Sequence, residues 1–328
     1  MTALSMRTSL PLLRLHQAAT WALALPPAYL GVALLLAAAA LTRPNLLSPM
    51  LLLLIMRQAA PLGLAAMGQS LVMRCRSLDL SAGGVVAMVS FLLTSGVLPL
   101  SAPLAIGAGL AIGAAVGAVN GWMIVRLRAS SVIVTLSVSM ILSGLVIAWS
   151  QFRSAGDAPE LLRAFGLARV GGVPLPPILW LALLVPVGLF LKATAFGRSM
   201  DAVGANPRAA ALSGLPHLRV LFLAHVASGL LSAAGGLLLL AFVGVGNVTL
   251  GNDLALNALA AAILGGINFG NGRGGMAGPA VAAFMLVFLF NFLTSLGLGE
   301  AGRLMLQGAI IGLAALAYAL RHRGLNPT

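Results

Sequence analysis

The sequence predicts an all-α fold, a polytopic integral membrane protein, and three observations carry that expectation. Of its 328 residues, 60% are apolar and only 8% are charged, far outside the composition of soluble globular domains. Its apolar stretches are long enough for helices of ~20 residues, the length that crosses a ~30 Å hydrocarbon layer. Gly and Pro punctuate these stretches and no period-two alternation runs through them, which excludes an outer-membrane barrel. Residues 1–328 therefore read as a single transmembrane domain, with no room for a separate domain of ~100 residues on either side.

Apolar runs and breakers divide the chain into about ten segments, near 22–42, 55–74, 80–99, 103–125, 130–150, 176–193, 218–243, 254–269, 276–297 and 303–320. Leu46 to Met56 leads obliquely into the second segment, leaving Arg57 near an interface where it can snorkel. With the N-terminus inside, alternation puts Arg7, Arg14, Arg74, Arg76, Arg126, Arg128, Lys192, Arg198, Arg208, Arg219, Arg273, Arg321 and Arg323 on the inner side. Only Arg43, Arg57, Arg153, Arg163, Arg169 and Arg303 fall outside, so positive charge favours ten crossings with both termini cytoplasmic. The short eighth segment follows Asn252 and Asp253 and has a glycine-rich exit. A re-entrant or broken path is open to it, which would re-phase the two segments after it.

Within this frame several features stand out in chain order. Asp79 is the one acid near the start of a segment on the inner side, at an interface. It reads there as a helix cap beside Ser81, as a partner of Arg76, or as a group with a direct part in transport. Gly109, Gly113, Gly117 and Gly121 recur every four residues, a smooth stripe for close helix packing within the chain or across a dimer. The outer loop from Gln151 to Pro177, with a turn at Val173 to Pro177, is a hydrated connector or a docking surface. In the inner loop from Thr194 to His217, Asn206 suits an N-cap, Pro207 the first helical position and Gly214 a left-handed terminus. That predicts a helix of about two turns, too short to be stable alone, which packs on its own chain or on a partner. Asn120, Asn247, Asn252, Asn257, Asn268 and Asn291 lie in or near membrane segments; they fit either a path for a neutral, hydroxyl-rich solute or hydrogen bonds between helices.

Other chemistry is excluded. The net charge of +13 comes from arginines scattered singly between apolar segments, not gathered into a nucleic-acid surface. Cys75 is the lone cysteine, and His16, His217, His225 and His322 lie far apart with no ligand spacing, so no metal site or nucleophile–base pair is expected. Lys192, the one lysine, is followed by Ala193, so no P-loop is present, and Gly270, Gly272 and Gly274 lack the preceding strand of a dinucleotide motif. No cleavage site marks a removable signal peptide.

Four stretches in order carry a resemblance. Ser77 to Ala87 (SLDLSAGGVVA) is similar to an Asp-Leu-Ser-x-Gly signature at Asp79, Leu80, Ser81 and Gly83. Gly117 to Leu136 is similar to Gly-x-x-Asn-Gly followed by a Thr-Leu-bearing helix, and Leu254 to Gly270 to an Ala-Ala-x-x-Leu-Gly-Gly run. Ala202 to Leu215 (AVGANPRAAALSGL) resembles a cytoplasmic coupling segment through Gly204, Asn206, Ala209, Ala210, Ser213, Gly214 and Leu215. From about Asn45 to Leu320 the chain thus resembles permease subunits in the ribose/xylose/arabinose-type branch of bacterial ABC importers. It departs at Arg74, Cys75 and Arg76, where the family usually has paired glycines and an aliphatic residue; the Gly272, Arg273, Gly274 turn fits the family.

The resemblance implies a multi-pass inner-membrane permease, not an enzyme, working with a second permease chain, the same or related. A cytoplasmic ABC ATPase that hydrolyses ATP would grip the coupling loop, and an extracytoplasmic solute-binding protein would deliver the solute. This chain would bind no cofactor of its own. It also implies a small neutral solute, most often a monosaccharide, with branched-chain amino acids belonging to a neighbouring branch. An ion-coupled secondary carrier acting without an ATPase is the alternative; it would need ionisable groups at segment centres, and none of the six acids falls there. A membrane enzyme would need clustered acids, bases or nucleophiles.

Overall fold

A computed structural model describes residues 26–97, 99–267, 274–302, 304–306, 308–309 and 312. The described chain is almost entirely helical: α1 (Pro27–Thr42), α2 (Pro49–Arg74), α3 (Ala82–Thr94), α4 (Ala102–Leu127), α5 (Ser131–Ser150), α6 (Glu160–Leu167), α7 (Leu175–Ala193), α8 (Ala195–Ala205), α9 (Pro207–Leu212), α10 (His217–Val243), α11 (Leu254–Leu264) and α12 (Ala277–Ser295). Proline opens α1, α2, α4, α7 and α9, where a missing N–H costs nothing because the first turn leaves its donors free. Among the described residues, α2, α4, α5, α7, α10 and α12 are long and apolar enough to cross a membrane.

Each of the first nine expected segments contains one of these helices, as far as it is described. Residues 22–25 of the first segment, most of the tenth, the glycine turn before Gly274, Asn268, His16 and His322 lie outside the described residues. Two of the expected segments are shorter as helices than the sequence predicts. α3 has 13 residues and α11 has 11, so they extend only ~20 and ~16 Å. Hydropathy counted the apolar residues after Thr94 as helix, whereas Gly96, at φ 66°, turns the chain away.

Both long loops are more structured than expected. The outer one contains α6 and a two-residue hairpin, β1 (Arg169–Val170) against β2 (Val173–Pro174). Its turn falls at Gly171 and Gly172, both at positive φ, and not at Val173 to Pro177, because glycine tolerates those angles. The inner loop carries α8 ahead of the expected short helix, started by Thr194, whose hydroxyl accepts the Gly197 N–H at 3.3 Å.

α10 is the centre of the bundle. The stripe of Gly109, Gly113, Gly117 and Gly121 is buried within the chain, and most of it lies against α10: a Cβ at Gly113 would strike the Gly229 carbonyl, and one at Gly117 the His225 carbonyl. On another side, a Cβ at Gly235 would come within 2.7 Å of the Pro61 carbonyl of α2, and one at Gly68 within 3.0 Å of Ser228. α2 is buried almost continuously from Ala59 onward, and its Leu64 and Met67 join Leu254 of α11 and Leu286 of α12 in the main core. By contrast Trp122, Met140, Ile141, Val185 and Leu189 face outward from α4, α5 and α7, as lipid-facing residues would.

At the outer-loop end, Gly156 donates to the Thr94 carbonyl (3.1 Å) and Ala158 to the Gly244 carbonyl (2.9 Å), tying the connector to the ends of α3 and α10.

Helix contacts this close leave no room for a side chain. Gly117→Val should lower the unfolding midpoint in detergent by the equivalent of ~1–3 kcal/mol or prevent folding. Gly107→Ala, on the same helix but with nothing within 4 Å of its Cβ, should be neutral or stabilise by ~0.5–1 kcal/mol. Equal effects at both positions in a thermal melt would contradict this packing.

Candidate translocation and coupling sites

α2 ends in a paired backbone turn: the Arg76 N–H donates to the Met73 carbonyl and the Ser77 N–H to the Val72 carbonyl, both at 3.0 Å. The residue at the turn is Arg76, at φ 60°, where a non-glycine residue costs ~1–2 kcal/mol. The next residues, Ser77 to Ser81, are not helical, yet Ser77, Asp79 and Ser81 are each 2% exposed or less. Their backbone donors must be satisfied inside the protein. Leu78 donates to Ser131 Oγ (3.2 Å), Leu80 to Thr135 Oγ1 (2.9 Å) and Gly84 to Ser139 Oγ (3.2 Å). Those three hydroxyls are spaced four apart on α5 and form one ladder along it. The Asp79 N–H donates to Gln69 Oε1 at 3.3 Å.

Side chains from four elements meet at this segment. The Asp79 carboxylate accepts from the Ser81 N–H (2.9 Å) and hydroxyl (2.6 Å), and Asn120 Nδ2 of α4 donates to Ser81 Oγ at 2.8 Å. His225 Nε2 of α10 and Ser77 Oγ share a hydrogen bond of 2.8 Å. Asn120 and His225 each lie about two turns from the nearer end of their helix, ~10 Å along it. Asp79 is 1% exposed, enclosed in the body of the bundle, because the chain enters unwound before α3 begins. Asp79 Oδ2, Asn120 Oδ1, Gln69 Nε2 and His225 Nδ1 are all buried there without a hydrogen-bond partner. Uncompensated polar atoms in an apolar bundle are costly and mark function more often than scaffold.

The start of α3 touches the turn that leads into α11. A Cβ on Gly83 would lie 3.0 Å from the Gly251 carbonyl and 3.4 Å from that of Asn252, so glycine permits the contact. Two shortened helices thus begin beside each other, each presenting the positive end of its dipole. Leu80 is half-buried, Asn252 is exposed and approaches through its backbone, and Asn257 is half-buried on α11. The structure brings Asn120 to the signature residues; Asn291 instead joins two helices, donating to Gln58 Oε1 at 2.8 Å. Asn247 accepts from the Thr249 N–H within its own turn.

Beside the same end of α2 lies the second site. Asn206 Oδ1 accepts from the N–H groups of Arg208 (3.0 Å) and Ala209 (3.1 Å), Pro207 begins α9, and Gly214, at φ 76°, ends it. Leu215 then donates to the Ala210 carbonyl at 3.0 Å. Ala210 is buried against Leu71, Val72, Val220 and Ala224, and Gly204 is buried on α8. Arg208, Ala209, Leu212 and Ser213 face out, Leu212 being 85% exposed. Arg74 and Asp201 form an ion pair. Arg76 donates through Nε to the Gly204 carbonyl (2.6 Å) and through Nη2 to that of Ala205 (2.7 Å), not toward Asp79. Between them burial pushes the Cys75 thiol up to about 12, with neighbouring Arg74 offsetting only part of the effect.

Sequence reasoning missed Ser131, Thr135 and Ser139, whose repeat of four was readable in an apolar run. It also passed over Gln69, Asp201 and His225, which acquire partners only through the fold.

The family model of the permease component of the branched-chain amino acid transport system matches residues 51–316. This chain belongs to that permease family. Among related permeases, the ribose import permease protein of Bacillus subtilis is 32% identical over 294 residues, covering 88% of this chain and 90% of the relative. The ribose import permease protein of Escherichia coli is 29% identical over 292 residues (88% and 91%), and its L-arabinose transport system permease protein is 32% identical over 258 residues (78% of each). No solved structure matches. The chain is thus a transport permease and a multi-pass membrane protein, not an enzyme, and its resemblance to the ribose-type branch stands.

Two measurements check the sites. Thr135→Val keeps the shape but strands the half-buried Leu80 N–H, and should cost ~1–3 kcal/mol in an unfolding assay, while Thr135→Ser should cost less. Cys75 should resist maleimide at pH 7.5 in the folded protein and react fully after denaturation, since burial both shields the thiol and raises its pKa.

Proposed function

We propose that this chain is the membrane-spanning permease subunit of an ATP-binding-cassette importer that passes a small neutral solute, most readily a monosaccharide, into the cytoplasm. Ten crossings in a bacterial inner membrane leave both termini, α8 and α9 on the cytoplasmic side, in keeping with the bias of positive charge. The single observation that carries the reading is α9 itself: a six-residue helix too short to be stable alone, capped at both ends and anchored by Ala210. It turns Ala209 and Leu212 outward on the exposed face of the inner loop. An apolar side chain held rigidly in water is a surface prepared for a partner.

That partner is a cytoplasmic ATPase, which supplies the ATP hydrolysis that this chain, without a P-loop, leaves to it. A second permease chain completes the pore and an extracytoplasmic binding protein delivers the solute. The names of the ribose and arabinose relatives support a sugar. Asp79, Ser81 and Asn120, with the backbone at Gly83 and Asn252, form the polar part of the route, and hydroxyl groups, which both donate and accept, complement such a mixed set. Driven movement of α9 shifts the bundle between two states that bind the solute differently.

The first test is purification of the tagged chain from its native membrane in mild detergent, where a P-loop ATPase is expected to co-purify. Ala209→Glu and Leu212→Glu should insert normally yet abolish uptake, whereas Ala210→Glu, at the buried position, should disturb the loop itself. Buried Asp79 is the group an ion-coupled carrier would use. Recovery of the chain alone, under conditions that keep a control transporter complex intact, would move the assignment there.

A further inference from the structure

We propose that Arg76 and Arg74 form a clasp that ties the coupling segment to the buried signature, so that movement of α9 is delivered to Asp79 and the start of α3. This rests on the reading of α9 as the ATPase contact.

Three observations meet in one short stretch of chain. Arg76 occupies the left-handed position that ends α2, where glycine fits without strain. Its guanidinium donates two hydrogen bonds to the Gly204 and Ala205 carbonyls, in the last turn of α8. Carbonyls there lack helical partners and carry the negative end of the helix dipole, so a cation is the suited donor. Ala205 is followed at once by Asn206, the cap of α9. Two residues earlier, Arg74, 7% exposed, pairs with Asp201 one turn back on α8.

On the other side of Arg76 the chain is equally committed. Ser77 bonds His225, Leu78 bonds Ser131, and Asp79 bonds Ser81 and Gln69. A stretch of six residues, Arg74 to Asp79, therefore has its first part fixed to the coupling helices and its last part fixed to the polar node. No helical spring lies between them, since Ser77 to Ser81 is unwound. Displacing α8 and α9 must pull on this strand or break its bonds. An arginine kept in a strained conformation with its guanidinium on the end of α8 is what a transmitting residue requires, and glycine would serve the backbone better.

Arg76→Gly separates the two roles. It should keep the assembled complex with a melting temperature at or above that of the unaltered protein, because the strain is relieved. The number of solute molecules moved per ATP hydrolysed in proteoliposomes should fall about tenfold, as loss of a coupling free energy does. Arg76→Lys should recover part of that ratio, and Arg74→Asp combined with Asp201→Arg should outperform either single change. An unchanged ratio in Arg76→Gly overturns the clasp, as does a loss of uptake that tracks dissociation or a lowered melting temperature. If the unaltered chain recovers no ATPase and moves solute without ATP, the reading of α9 fails instead, and the clasp with it.

Discussion

Everything at the site depends on one constraint: backbone N–H groups that leave a helix inside an apolar bundle must find acceptors from the protein. Ser77 to Ser81 meets it with the hydroxyls of Ser131 and Thr135, the amide oxygen of Gln69 and the carboxylate of Asp79. Once those bonds exist, α3 can begin deep in the bundle, and its N-terminal turn faces the turn into α11. A continuous helix from Arg74 to Thr94 would satisfy its own backbone and present no polar node at all. The break in the helix is what brings a carboxylate, two amides and an imidazole together.

The glycine contacts between α4 and α10 supply the second condition. Gly117 lies against the His225 carbonyl, so Asn120 on one helix and His225 on the other are held at the same depth on either side of the unwound chain. A larger residue would part the helices and withdraw both side chains from Ser77 and Ser81. Packing and polar chemistry are thus one problem here, solved by small residues at i, i+4 and i+8.

The predicted behaviour of Gly117, Thr135 and Arg76 shows what a linear reading can and cannot reach. Spans, the Gly109 to Gly121 stripe and the Asn206 to Gly214 helix were legible because each depends on neighbours within about four residues. The unwound entry to α3 was not legible. Hydropathy registers Leu78 and Leu80 as membrane residues whatever their dihedral angles, and the acceptors that allow the break lie some fifty residues away on α5. Asp79 was accordingly placed at an interface, where a carboxylate is cheap, when the fold buries it. Arg74 and Arg76 read as positive charge on the inner side, with Asp79 as one partner open to Arg76; their partners at Asp201, Gly204 and Ala205 become visible only when α8 folds against α2.

The charge of the node also bears on the kind of solute that could use it. Asp79 has one oxygen bonded to Ser81 and the other without a partner, and the ion pair nearest in sequence, Arg74 with Asp201, lies on the far side of Arg76. An anionic solute would meet a buried carboxylate in a region of low dielectric, where repulsion is strong; a cation would be held too firmly to leave. A neutral polyhydroxy molecule escapes both penalties, since each hydroxyl can donate to Asp79 or Asn120 Oδ1 and accept from Gln69 Nε2. Such pairing is adaptable and weakly selective. In the proposed importer, discrimination between one sugar and another falls to the binding protein that delivers it, which leaves the permease free to be built around movement.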